Sequence, residues 1–135
     1  MYLLDTNVVS ETIKSKPEET VINWLSAINI HHLFLSVLTL GEIRKGVEKL
    51  TDPIRKQKII QWLEIDLVEN FHDRLIRIDE KISDKWGYIS SLNQTPAIDG
   101  LIAASALVHN YKLVTRNSKD FKNITGLELI NPWEL

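Results

Sequence analysis

Short apolar segments alternate with longer segments of helical periodicity along this chain, and this alternation constrains the fold more than any other feature. Short segments rich in apolar residues at 2–4, 33–37, 75–78 and 112–115, with a fifth at 127–130, are typical of strands. Between them, apolar residues recur at helical spacing. Because parallel strands need crossover connections, the pattern predicts an α/β fold with a mostly parallel central sheet between layers of helices.

Local signals set the limits of several helices. Asp52-Pro53 and Asp79 each predict a helix start, since aspartate is a favoured N-cap and proline fits the first turn. A further helix is predicted over about 39–50 from its apolar stripe. Thr95-Pro96 opens an almost entirely apolar helix, which is typical of a buried one, and we expect it to end near residue 110.

Composition restricts the class of protein. The 135 residues are 44% apolar and 25% charged, which predicts one globular domain over residues 1–135. The absence of cysteine excludes disulfides, thiolate zinc sites and thiol nucleophiles, and it fits a cytoplasmic location. No apolar run approaches the ~18 residues needed to span a bilayer, and the first residues lack the basic region of a signal peptide. We therefore expect no membrane association.

Acidic residues occur where predicted strands end or predicted helices begin. Asp5 directly follows the first strand, and Glu42 lies in the first turn predicted after the second. Asp99 lies in the first turn of the apolar helix, and Asp120 follows the fourth strand together with Asn117. Functional crevices of open α/β sheets lie at the carboxyl ends of the strands. The spacing therefore predicts that these side chains share one edge of the sheet.

Asp99 is the most informative of these acids, because an isolated ionised carboxylate on a buried helix is costly unless it is paired or binds a cation. Clustered carboxylates are the ligands that Mg²⁺ and Mn²⁺ prefer, and such ions activate water for phosphodiester hydrolysis. The four histidines lack the spacing of a zinc hydrolase. Each acid also has a structural interpretation: Asp5, Asp99 and Asp120 as helix caps or turn residues, and Glu42 as a solvated helix residue.

Four segments resemble the PIN-domain nucleases: residues 3–7 (LLDTN), 36–42 (SVLTLGE), 97–104 (AIDGLIAA) and 113–121 (LVTRNSKDF). The ending 129–133 (LINPW) is similar to that of the VapC and FitB branch. The resemblance covers essentially the whole chain, in order. It implies a PIN-like three-layer α/β/α sandwich and a toxin of a type II toxin–antitoxin system that acts as a metal-dependent endoribonuclease.

The resemblance also assigns roles to individual residues. Asp5, Glu42 and Asp99 match the first three acids of the family, and Asp120 is the acid available for the fourth place. The four are the implied catalytic residues and ligands of Mg²⁺, with Mn²⁺ able to substitute. The implied supporting residues are Thr6, Asn7, Thr115 and Asn117. Asn117 stands where many PIN domains carry aspartate, which leaves open whether Asn117 or Asp120 completes the site.

Charge is consistent with an anionic substrate. The net charge is −2 and the four candidate acids account for −4, so the rest of the chain carries +2. Arg116, next to Asn117, is the candidate RNA contact. The implied substrate is RNA, with tRNA and the anticodon region of initiator tRNA as the leading interpretation. The implied partners are a second copy of the chain, a VapB-like antitoxin across the active-site groove, and operator DNA only through that antitoxin.

The apolar stripes between about 18 and 67 are larger than one sheet face needs, so Trp24, Ile59, Trp62 and Ile65 are candidates either for a partner surface or for the core.

Two other functions remain as alternatives. In the first, the chain is a non-catalytic module that holds an antitoxin for DNA regulation. The second, an aspartate phosphotransferase, fits poorly. The haloacid-dehalogenase type needs Asp-x-Asp after the first strand, where Asn7 takes the third position, and the receiver type needs a lysine after a late strand, where Arg116 follows Thr115.

Overall fold

The computed structural model describes all residues from 1 to 135 and contains one five-stranded sheet in the order β3-β2-β1-β4-β5. The strands are β1 (Tyr2–Leu4), β2 (Leu33–Ser36), β3 (Leu75–Ile76), β4 (Lys112–Val114) and β5 (Leu129–Ile130). Every neighbouring pair is parallel. The predicted strands and the α/β class are confirmed, with β3 and β5 shorter than the apolar runs that indicated them and both at the edges of the sheet.

Helices connect the strands and cover both faces of the sheet. They are α1 (Thr6–Glu11), α2 (Glu19–Ala27), α3 (Val37–Val47), α4 (Pro53–Gln61), α5 (Val68–Asn70), α6 (Glu80–Leu92), α7 (Ala97–His109) and α8 (Ser118–Phe121). A π-helical turn (Trp62–Leu67) joins α4 to α5, and 3₁₀ helices occupy Ile30–His32 and Pro132–Glu134. The predicted caps are confirmed, since Asp52 accepts from the Ile54 amide and Asp79 from the Ile82 amide. No helix has both the length and the apolar character required to cross a membrane.

The start of α3 differs from the prediction and changes the position of Glu42. The Ser36 hydroxyl accepts a hydrogen bond from the Leu38 amide at 3.1 Å, so the helix begins at Val37, directly after β2. The predicted start near residue 39 was wrong because this serine cap was not recognised. Glu42 therefore lies in the second turn of α3, and Thr39 occupies the first.

The core forms two layers, one on each face of the sheet. Consecutive residues of β1 separate them: Leu3 belongs to the cluster beneath α6 and α7, and Leu4 to the cluster beneath α1 to α5. β4 divides in the same way at Leu113 and Val114. Since successive side chains of a strand point to opposite faces, the apolar residues of β1 and β4 are buried on both faces of the sheet. The expected three-layer sandwich is confirmed.

Close packing of α6 against α7 positions the start of α7. A Cβ atom at Gly100 would lie only 3.0 Å from Trp86 Cδ1 and 3.1 Å from Trp86 Nε1. Glycine therefore lets the indole of α6 lie directly against the first turn of α7, which carries Asp99. At its other end α7 stops at Asn110, whose φ of 58° is left-handed.

Candidate active site

The candidate site begins where β1 and β4 end side by side. Leu4 pairs with Val114 in the parallel register, so Asp5 and Thr115 leave the sheet at the same level. The Asp5 amide donates to Val114 O at 2.9 Å, which extends the pairing by one step. The Thr115 hydroxyl donates to Asp5 Oδ2 at 2.8 Å. Both residues are buried, with Asp5 only 5% exposed.

Further hydrogen bonds fix the Asp5 carboxylate in place. Oδ1 accepts from the Thr6 amide at 2.8 Å, and Oδ2 also accepts from Asn7 Nδ2 at 3.4 Å. Burial nevertheless raises the pKa of Asp5 above its ordinary value, and nearby Glu42 adds to the rise, against the lowering effect of these hydrogen bonds. Asp5 also caps α1, so its structural interpretation as a helix cap is confirmed.

Glu42 reaches the same region from α3. The Thr6 hydroxyl donates to Glu42 Oε1 at 2.6 Å, and the Thr6 and Thr39 hydroxyl oxygens lie 3.2 Å apart. Thr39 is fully buried. Its role was missed in the sequence, although it lies in the segment that carries Glu42, because a threonine in an apolar stretch gives no separate signal.

Asp99 adds a third carboxylate to this acidic group from α7, which packs on the face of the sheet opposite to α1 and α3. Its pKa is raised from 3.8 to about 6 by burial first, and then by repulsion from Asp5, Glu42 and Asp120. No hydrogen bond offsets this rise. Each of the other three acids is therefore near enough to Asp99 to repel its charge, and Asp120 lies at an exposed position of α8.

The residues after β4 connect this acidic group to a neighbouring loop. The Thr115 hydroxyl, which donates to Asp5, accepts from the Asn117 amide at 3.1 Å. Asn7 lies 3.5 Å from the Thr115 hydroxyl, and its Oδ1 accepts from the Arg116 amide at 3.2 Å. Three of the four predicted supporting residues, Thr6, Asn7 and Thr115, therefore contact Asp5 or Glu42 directly. The fourth, Asn117, is joined to them through the Thr115 hydroxyl.

Two C-terminal residues join this loop and were missed in the sequence as part of the site. The Arg116 guanidinium lies over the Trp133 ring, 5.1 Å from its centroid. Asn131 Nδ2 donates to Arg116 O at 3.1 Å. The LINPW ending supplied a family signal, but only the adjacent ends of β4 and β5 show why it lies beside Arg116.

The donor set fits a hard divalent cation. No lysine or arginine forms an ion pair with any of the four acids. At the same time, no three of the acidic and histidine side chains are close enough to make a ready-made ligand group. Carboxylates that repel one another without a compensating charge are the oxygen ligands Mg²⁺ and Mn²⁺ take. Metal binding would therefore draw together oxygens that the protein alone holds apart.

The predicted surface residues divide between core and exterior. Trp24 and Trp62 pack against the cluster beneath α1 to α5, and Trp24 meets Tyr2 edge-to-face at 5.2 Å. Ile59 is half-buried, whereas Ile65 is 52% exposed. An open apolar cavity of about 350 Å³ lies beside Trp62, between α2, the π-helical turn and the 3₁₀ helix before β2.

Comparison with known proteins places this geometry in context. Residues 2–127 match the PIN domain family. Toxin FitB of Neisseria gonorrhoeae is 33% identical over 98% of this chain and 99% of its own length. VapC ribonuclease Y4jK of Sinorhizobium fredii is 32% identical over 99% of each. The tRNA(fMet)-specific endonuclease VapC of Salmonella typhimurium is 30% identical over 95% of each.

Solved structures agree with these sequence matches. FitAcB from Neisseria gonorrhoeae superposes with a TM-score of 0.93 at 33% identity and covers 100% of both chains. FitAB bound to an IR36 DNA fragment superposes with a TM-score of 0.90 at 31% identity, over 100% of this chain and 97% of the other. The similarity therefore extends over the whole fold, including the elements that carry the acidic residues.

Proposed function

This chain belongs to the PIN domain family, in its VapC and FitB branch, and we propose that it is a toxin that cleaves RNA with the aid of Mg²⁺. One observation carries the proposal. Asp5, Glu42, Asp99 and Asp120 come from four separate segments, and they meet in a common electrostatic field without a single basic partner. Acids with only structural roles are not expected to cluster in this way, because each added carboxylate raises the free energy of ionising the others.

The proposed mechanism assigns each residue a separate task. Asp5, Glu42 and Asp99 would hold the ion, and Asp120 with Asn117 would complete the site and orient the attacking water. The bound ion supplies polarisation of the scissile phosphate and a lowered pKa for water. Thr115 and the Thr6 amide fix the rotamer of Asp5, and the Thr6 hydroxyl fixes Glu42. Arg116 contacts a phosphate of the substrate.

We propose tRNA as the substrate class, with the anticodon region of initiator tRNA as the first candidate. The support is similarity to a relative whose name describes a tRNA(fMet)-specific endonuclease. Without its four acids the chain carries +2, so the surface outside the site favours a polyanion. Residues 1–135 would act as one PIN domain.

We propose a VapB-like antitoxin and a second copy of the chain as partners, with operator DNA bound only through the antitoxin. The solved FitAB structure bound to DNA is the support for this arrangement. The apolar cavity beside Trp62 offers a surface for apolar side chains of the antitoxin. Light scattering of the purified chain, alone and with the co-expressed antitoxin, tests both associations.

The central experiment measures cleavage of total tRNA by the purified chain. We expect cleavage with Mg²⁺ or Mn²⁺, none with EDTA, and none for Asp5→Asn or Asp99→Asn. Asp84→Asn is the matched control, because it removes the same charge from an exposed position of α6 and should retain wild-type activity. Sequencing of RNA ends after brief expression without antitoxin then identifies the cut site.

Three results would reject parts of the proposal. Cleavage that survives Asp99→Asn would reject the metal assignment. A chain that binds its antitoxin but cleaves no RNA with either metal would instead support the non-catalytic module. Cleavage of RNAs other than tRNA would reject only the substrate class.

A further inference from the structure

A polar cavity adjoins the acidic site on the side of the C-terminus. Its volume is about 440 Å³, and its lining includes Arg116, Lys119 and Trp133. Asp120 also lines it and contributes to the electrostatic field at Asp99, so the cavity and the acidic site share a wall. Small ligands occupy cavities of roughly 300–1,000 Å³, so a nucleotide unit fits this one.

The backbone of Arg116 is held on both sides. Its amide donates to Asn7 Oδ1 at 3.2 Å, and its carbonyl accepts from Asn131 Nδ2 at 3.1 Å. Asn131 Oδ1 in turn accepts from the Trp133 amide at 3.0 Å, so one asparagine orients both members of the Arg116–Trp133 pair. Asn7 also contacts Asp5 at 3.4 Å. The pair is therefore attached to the part of the acidic site that is fixed by hydrogen bonds.

The side chain of Arg116 is exposed and has no carboxylate within 4.0 Å as an ion-pair partner. Its guanidinium lies over the Trp133 ring at 5.1 Å from the centroid. Trp133 is half-buried and packs against the core beneath α1 to α5, which gives the ring a firm support. A planar cation held on such a ring is a surface on which a second planar group can stack.

We propose that this cavity binds an unpaired base of the RNA, which stacks on the Arg116–Trp133 pair next to the phosphate to be cleaved. The inference rests on the proposed ribonuclease function and adds a base-binding subsite to it. Proteins recognise single-stranded RNA by stacking unpaired bases on aromatic rings and arginine planes. Lys119 supplies charge for the adjoining phosphate, and Ser118 and Glu134 offer hydrogen bonds to the edge of the base.

The test separates stacking from charge. Fluorescence anisotropy measures the binding of a short labelled single-stranded RNA, and of an abasic chain of the same length, in EDTA over a series of salt concentrations. Arg116→Lys keeps the charge and loses the plane, so we expect about 10-fold weaker binding of the base-bearing RNA with an unchanged salt slope. Lys119→Ala, the matched control, should reduce the salt slope by about one charge and keep the preference for base-bearing RNA.

Two outcomes would overturn the inference: Arg116→Lys binding as tightly as the wild type, or the wild type binding the abasic chain equally well. Trp133→Phe provides a second variant, with its melting temperature measured first, and it should weaken binding less than Arg116→Lys because it keeps an aromatic support. Base-dependent binding without cleavage in either Mg²⁺ or Mn²⁺ would refute the ribonuclease and leave the subsite standing. Cleavage without base-dependent binding would refute the subsite and leave the ribonuclease standing.

Discussion

Asp5 and Asp99 lie in the same site but are held in different ways. Asp5 is buried at the end of a central strand and accepts hydrogen bonds from Thr115, from Asn7 and from the Thr6 amide. Asp99 lies in the first turn of α7, where no hydrogen bond compensates its burial or the repulsion of the other acids. The protein thus orients Asp5 by itself, whereas under the proposed function a bound cation would stabilise the charge of Asp99.

The largest expected effect is on cleavage. Asp5→Asn and Asp99→Asn should each lower kcat/KM by more than about 100-fold, since even residues outside the ligand shell of a metal contribute about 10- to 100-fold.

The difference between Asp5 and Asp99 also predicts different stabilities without metal: Asp99→Asn should melt at a higher temperature than the wild type, because a repelled charge is removed. Equal melting temperatures in EDTA would contradict the difference between Asp5 and Asp99.

Thr115→Val tests how the protein orients Asp5. Loss of the hydroxyl removes a donor to Asp5 and an acceptor for the Asn117 amide. We expect metal affinity to fall by about 10- to 100-fold, as for other residues that orient a ligand. Isothermal titration with Mn²⁺ measures this. Ser105→Ala is the control, because it removes a buried hydroxyl that bonds only to Leu101 O within α7, and its metal affinity should equal that of the wild type.

The pH dependence of stability tests the charge of Asp99. The pKa of Asp99 is raised from 3.8 to about 6 in the folded protein, so the folded state holds this proton more tightly than the unfolded state. Without metal, the contribution of Asp99 to stability is therefore greatest below pH 3.8 and is lost as the pH rises towards 6. We expect urea unfolding to show a gap between Asp99→Asn and the wild type that grows over this interval. Saturating Mg²⁺ should abolish the gap at pH 7.

The smallest expected effect concerns the packing that supports Asp99. Gly100→Ala places a Cβ atom 3.0 Å from Trp86 Cδ1 and should cost about 1 kcal/mol of stability, since overpacking outweighs the gain in helix propensity. Gly87→Ala, which meets no atom within 4 Å, should instead stabilise the protein by roughly 0.5–1 kcal/mol. Urea unfolding measures both changes in stability. If Gly100→Ala also cleaves RNA more slowly than Gly87→Ala, the packing of α7 against Trp86 is what positions Asp99.

Much of the fold follows from local patterns. Residues 2–4 are apolar throughout, and 33–37 and 112–115 have apolar residues at their centres, a pattern typical of strands covered on both faces. Asp52 and Asp79 cap their helices as expected. The exception was Ser36, which starts α3 earlier and moves Glu42 into the second turn. A serine after a strand is as compatible with a turn as with a cap, so the sequence alone did not distinguish them.

The amino-acid order was sufficient to predict the family and to place the candidate acids at strand ends or near the starts of helices, because strand ends and helix starts are local properties. It could not specify that Thr115 bonds to Asp5, that Thr39 supports Thr6, or that Arg116 lies on Trp133. Those contacts join residues from distant parts of the chain, up to 110 positions apart. They exist only once parallel pairing of β1, β2, β4 and β5 sets the register, since the alignment of strand ends is a property of the folded sheet rather than of any one segment.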